Sequence, residues 1–137
     1  MTAEQIFAIA NPLAALSWLL LIVVPRRAAL VTGVIVPAIL AALYVTLIGV
    51  HWSGAEGGFS TLADVARLFE NRWLLLAGWV HYLCFDLLVG TWEVADARAR
   101  GVPHLLVVPC LVLTFLFGPA GWLLYKGLAS MHPGSKT

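Results

Sequence analysis

Four side chains able to donate, accept or hold a proton fall on one apolar stretch, Trp73 to Pro103: His81, Asp86, Glu93 and Asp96. A carboxylate near the centre of a bilayer-spanning helix costs about 2.5–3.5 kcal/mol on insertion scales, so three acids on one such segment need a reason. At helical spacing Asp86, Val89, Glu93, Asp96 and Arg100 stand at i, i+3, i+7, i+10 and i+14, a single stripe that Tyr82 joins at its start. Leu83, Leu87 and Gly90 lie opposite and suit lipid or a neighbouring helix. The stripe is therefore expected to face the protein interior or a wet cavity.

Three chemistries suit these groups. A neutral carboxylic acid with an ionised partner could do general acid–base work on an apolar substrate, with Asp86 as the acid and His81 or Asp96 as the base. His81, Asp86 and His104 could hold a metal, but they lack ligand spacing, and no metal is assigned. Alternatively the groups satisfy one another as a structural hydrogen-bond network. Asn11, Tyr82, Glu93 and His104 are the candidates to line the site beside Asp86, His81 and Asp96. Glu93 and Asp96 have a competing structural role, pairing with Arg98 or Arg100. The residues identify no cofactor.

The elements that must position these groups follow from composition. Of 137 residues 61% are hydrophobic and 11% charged, with a mean hydropathy of +0.93. A water-soluble domain of this size carries about 25% charged residues. The sequence predicts one all-α integral membrane domain over 1–137, a four-transmembrane-helix bundle with spans at about 5–24, 28–50, 73–96 and 104–128. A net charge of +1 gives no case for a nucleic-acid partner. Met1 to Pro12 carries Glu4 and no basic stretch, so it reads as the start of a first span rather than a cleaved signal. Cys84 and Cys110 fall at different depths and are expected to stay unpaired.

Pro12, Pro37, Pro109 and the pair Gly118-Pro119 predict kinks in the first, second and fourth spans. Residues 61–70 read as a short interfacial helix between helices two and three, opened by the Thr61–Asp64 capping box. A lid over a lateral entrance is the alternative use of that segment. Arg26, Arg27, Arg98 and Arg100 fall on two short turns, which predicts those turns to be cytoplasmic and both termini outside. Lys126 and Lys136 would then lie outside, with the tail from Met131 frayed. Membrane lipids are the implied surroundings, and a Gly/Ala face on the third span allows a homo-oligomer.

Three segments carry a resemblance to a known family: WVHYLCFDLL (Trp79–Leu88), VADARARGVPHLLVVPC (Val94–Cys110) and FGPAGWLLY (Phe117–Tyr125). They resemble the ABA4-like family of small membrane proteins, whose plant member is a chloroplast membrane protein required to form neoxanthin from violaxanthin. Trp79, His81, Leu83, Asp86 and Leu87 match one family motif, and Asp96, His104, Pro119 and Gly121 match later ones. ANPLAALSWLLLIVVPR near the start is similar too. Glu93 and the short loop between spans two and three depart from the plant pattern. The resemblance implies a compact bacterial-type member in the inner membrane, acting on a carotenoid or other isoprenoid lipid. The implied chemistry is that of an isomerase opening an epoxide to an allenic alcohol. The plant substrate does not transfer with the fold. The alternative is a non-catalytic scaffold that binds a hydrophobic cofactor or a partner enzyme.

Overall fold

A computed structural model describes residues 1–132 of the chain, and Lys136 and the end of the tail lie outside the described residues. Helix α1 (Ala3–Val23) opens on a full capping box, with Thr2 and Gln5 exchanging backbone and side-chain hydrogen bonds. Pro12 is accommodated inside it without ending the helix. The next apolar run is α2 (Pro25–Leu30), a π turn (Val31–Ile35) and α3 (Val36–His51), closed by a 3-10 turn (Trp52–Gly54). The π turn falls between Pro25 and Pro37, where the expected bend was placed. Its Gly33 lies against Thr91 of the neighbouring helix, where a Cβ would stand 3.1 Å from that methyl group. Thr91 also donates to Thr32 at 2.9 Å, so the irregular turn is fastened to the neighbouring helix.

Short helix α4 (Leu62–Glu70) begins at Thr61, whose hydroxyl accepts from the Asp64 amide and donates to its carboxylate. Long helix α5 (Arg72–Ala99) follows directly. At a rise of about 1.5 Å per residue it runs about 42 Å, and Asp86 stands half-way along it. Three stretches are long and apolar enough to cross a membrane: Ala3–Val23, Pro25–Gly54 and Arg72–Ala99.

Pairings between helices fix their directions. Glu4 and Arg72 form an ion pair at one end, Asn11 meets Trp79 one step further along, and Trp18 packs on Gly90 deeper still, so α1 and α5 run parallel. His51 stacks on Trp73, Tyr44 meets His81, and Cys84 donates to the Pro37 carbonyl, so α3 is antiparallel to both.

The predicted fourth span, 104–128, takes a different form. It divides into α6 (His104–Phe117) and α7 (Pro119–Ser130) at Gly118, whose φ of +41° only glycine tolerates without strain. At 14 residues, α6 is about 21 Å long, short of the roughly 30 Å a bilayer core demands. The two helices fold back on each other, with Gly121 lying directly on the backbone and hydroxyl of Thr114. Tyr125 on the returning helix reaches Asp96, near the end of α5. The segment is a helical hairpin whose tip reaches Asp86 half-way along α5, and Ser130 therefore ends on the side of the Asp96–Pro103 turn. The last described helix thus ends at the opposite end of the bundle from Thr2, where the sequence-based expectation set the two on one side. A Gly-Pro pair alone distinguishes a kink from a reversal poorly; the missing Cβ at Gly121 permits the reversal.

Candidate functional site

The stripe on α5 reaches the interior as expected, but its members divide into two kinds. Glu93 is completely buried, and the Thr114 hydroxyl lies 3.0 and 3.2 Å from its two oxygens, a shared donation. Asp96 receives the Tyr125 hydroxyl at 2.6 Å and the Arg100 Nε at 2.7 Å on the same oxygen. The Asp96 hydrogen bond is also the main reason the Arg100 guanidinium holds its proton more tightly than usual. Both acids thus pin the returning hairpin to α5, one through each of its arms.

Asp86 is different. Its Oδ2 is buried and has no hydrogen-bond partner. The carboxyl lies against Gly118 at the hairpin tip, where a Cβ would stand 2.8 Å from Oδ1 and 3.1 Å from Oδ2. The tip is also the start of α7, with proline at its first position and no side-chain cap. The positive end of that helix's dipole faces the region of the acid. One turn earlier on the same face, Tyr82 donates to the Phe115 carbonyl at 3.0 Å. Tyr82 and Phe115 also line a cavity of about 370 Å³ with Asn11, Ala15, Trp79 and Leu116. This cavity lies between α1, α5 and α6 and ends one helical turn from Asp86. Trp79 closes its other end, donating from Nε1 to Asn11 Oδ1 at 2.7 Å.

His81 stands elsewhere. Five residues before Asp86 on a helix is about 140° away around the axis, and the imidazole is exposed, stacked on Phe85 and beside Tyr44 on the α3 side. His104 opens α6 and its Nε2 lies 2.8 Å from the Ile22 carbonyl, tying α6 to the end of α1 rather than to the acids. Asn11 is half-buried in the α1–α5 groove. The structure therefore brings Asp86, Tyr82 and Asn11 to one side of α5 and leaves His81, His104 and Asp96 apart from them. Thr114, Gly118 and Tyr125 were missed as partners of the stripe, because nothing local in the sequence shows that α7 returns alongside α5. Among the described residues no group of three or more His, Cys, Asp or Glu could hold a metal.

The ABA4-like (ABA DEFICIENT 4-like) family model matches residues 5–125. The chain belongs to the ABA4-like family. The match runs from the first turn of α1 to Tyr125, so it includes the hairpin and the acid stripe. Comparison with curated proteins and with solved structures finds no match.

Proposed function

We propose that this ABA4-like protein is a multi-pass protein of the bacterial inner membrane that acts in isoprenoid or carotenoid metabolism as an isomerase, with Asp86 as its catalytic residue. The observation that carries this reading is the Asp86 carboxyl, half-way along a membrane-length helix with a buried oxygen that no group satisfies. Such an atom costs about 1–3 kcal/mol even when uncharged, and a purely structural stripe would have given it a donor, as it gave Glu93 and Asp96 theirs. An isomerisation needs no second acid. One carboxyl can give its proton to an epoxide oxygen as the carbon–oxygen bond breaks, then take a proton from carbon as the double bond forms. The site then returns to its starting state with no co-reactant consumed. The adjoining apolar cavity, with Tyr82 and Asn11 as its polar members, suits an unsaturated hydrocarbon chain.

The test is Asp86→Asn, expressed beside the parent chain in a carotenoid-producing bacterial host. The parent is expected to change the extracted pigment or isoprenoid profile, and the amide variant should lose at least 100-fold of that conversion, on the order of general acid catalysis. The variant should still accumulate in membranes. A parent chain that leaves the profile unchanged removes the isomerase reading. The scaffold alternative draws on Glu93 and Asp96, whose bonds are fully structural; under it, Asp86→Asn keeps function.

We further propose an orientation from the charges at the two ends of the bundle. Arg26, Arg27, Arg98, Arg100 and Lys126 gather toward the end of the bundle that holds the two short turns, with Asp96 as the acid there. The other end has Arg67 and Arg72 among Glu4, Glu56, Asp64 and Glu70. Basic residues mark the cytoplasmic side, so the N-terminus is outside and the C-terminus inside. A fluorescent protein fused after residue 137 should glow, and a periplasm-dependent phosphatase fused there should stay inactive. The reverse pattern would refute the three-crossing topology.

A further inference from the structure

On the side of α5 away from Asp86, a second cavity of about 450 Å³ lies between α3, α4 and α5. Its walls are rings: Trp52 stacked on Phe59 with centroids 5.6 Å apart, Phe69 from α4, and Tyr44 and His81 from the long helices. Its remaining lining is aliphatic or glycine, and no acid, lysine or arginine contributes to it. Gly78 lets the Phe69 ring lie on the α5 backbone, since a Cβ there would stand 2.8 Å from Phe69 Cε1. The two polar tips are the Tyr44 hydroxyl and the His81 imidazole, on different helices with ring centroids 5.5 Å apart. Neither side chain hydrogen-bonds to any described residue, although the phenol is half-buried. In a cavity otherwise built of apolar faces, these two hydrogen-bonding groups have no protein partner and are open to a ligand.

We propose that this cleft is a binding site for a flat, uncharged ring bearing an oxygen acceptor, the chemistry of a quinone head. The phenol and imidazole hold the ring oxygen from two directions, while Trp52, Phe59 and Phe69 cover the ring faces. Charge would be unmatched throughout the lining, which selects against carboxylates and phosphates. Helix α4 packs its apolar side, with Leu68 buried, over the cleft, and presents Arg67 and Glu70 on its exposed surface. This site is separate from the Asp86 cavity and does not depend on the isomerase reading.

The probe is a benzoquinone carrying a decyl tail, added to the full chain in phosphatidylcholine nanodiscs while tryptophan emission is followed. Saturable quenching is expected, and decylbenzene, with the same tail and ring but no oxygen, should not displace the quinone at tenfold excess. Replacing both tips, Tyr44→Phe with His81→Phe, should weaken binding about tenfold or more, the loss of two hydrogen bonds. Tyr44→Phe alone removes a single oxygen atom and provides the readout if the double variant does not fold. Its affinity should fall by a smaller factor of about three to ten. Quenching that rises linearly without saturation, displacement by decylbenzene, or unchanged affinity in the folded variants would each overturn the site. Asp86→Asn should leave the quinone affinity unchanged, so this experiment fails or succeeds independently of the one on Asp86.

Discussion

Gly121→Ala is expected to remove the protein from membranes almost completely. The added methyl group would fall on the Thr114 amide, Cα and hydroxyl at once, and two of those three atoms are backbone. Neither arm can give way by a rotamer change, so the hairpin must open. Opening it separates Tyr125 from Asp96, which keeps Arg100, and Thr114 from Glu93, which is left buried with no partner. Leaving the Glu93 carboxyl unpartnered costs about 2–4 kcal/mol, and the lost packing between the two arms adds to it, together a large share of the stability of an ordinary domain. Immunoblots of membrane fractions and the fraction of monodisperse protein after detergent extraction measure the effect. Gly127→Ala, on the same helix with open space around it, is the control and should behave as the parent. Equal accumulation of the two variants would mean that the helices do not approach closely at Thr114.

The second large effect concerns Glu93 and Thr114, both without exposed surface. Thr114→Val keeps the shape of the side chain and deletes the one donor that the Glu93 carboxyl has. It should destabilise the folded protein by about 2–4 kcal/mol, the cost of leaving a buried carboxyl without a partner. Adding Glu93→Leu to that variant should recover most of the loss, since replacing both partners by apolar groups is close to neutral. The double variant is thus expected to be more stable than Thr114→Val alone, by more than Glu93→Leu changes the parent chain. Unfolding in sodium dodecyl sulfate followed by far-ultraviolet circular dichroism supplies the four free energies of the cycle. A double variant no more stable than the single one would show that Glu93 has another partner or a role the bond does not explain.

Much of this architecture is legible in the chain before folding. Residue types alone place three long apolar helices and the polar Thr61–Asp64 start of α4, because capping chemistry and membrane length are local properties. The acid stripe is legible for the same reason: a period of 3.6 fixes which side chains share a face. That rule also places His81, five residues before Asp86, on a different face of α5 from the acid it was expected to work with. What the residues did not disclose is the direction of α7. Gly118 and Pro119 say that a helix ends there, but whether the chain continues or turns back depends on a contact seven residues apart, Gly121 on Thr114. The roles of Tyr125 and Thr114 follow from that contact, so they were hidden with it. In the fold Tyr125 is fully buried and bonded to an acid.

The reversal at Gly118 bears on how the protein is made. The three stretches long and apolar enough to cross a membrane are complete at Ala99, and α6 and α7 then fold in and back on the side of the Asp96–Pro103 turn. Under the proposed orientation the wedge can be seated after those three stretches are already in place. A nascent chain stopped at Val102 would already be anchored three times, yet its acids would have no roof.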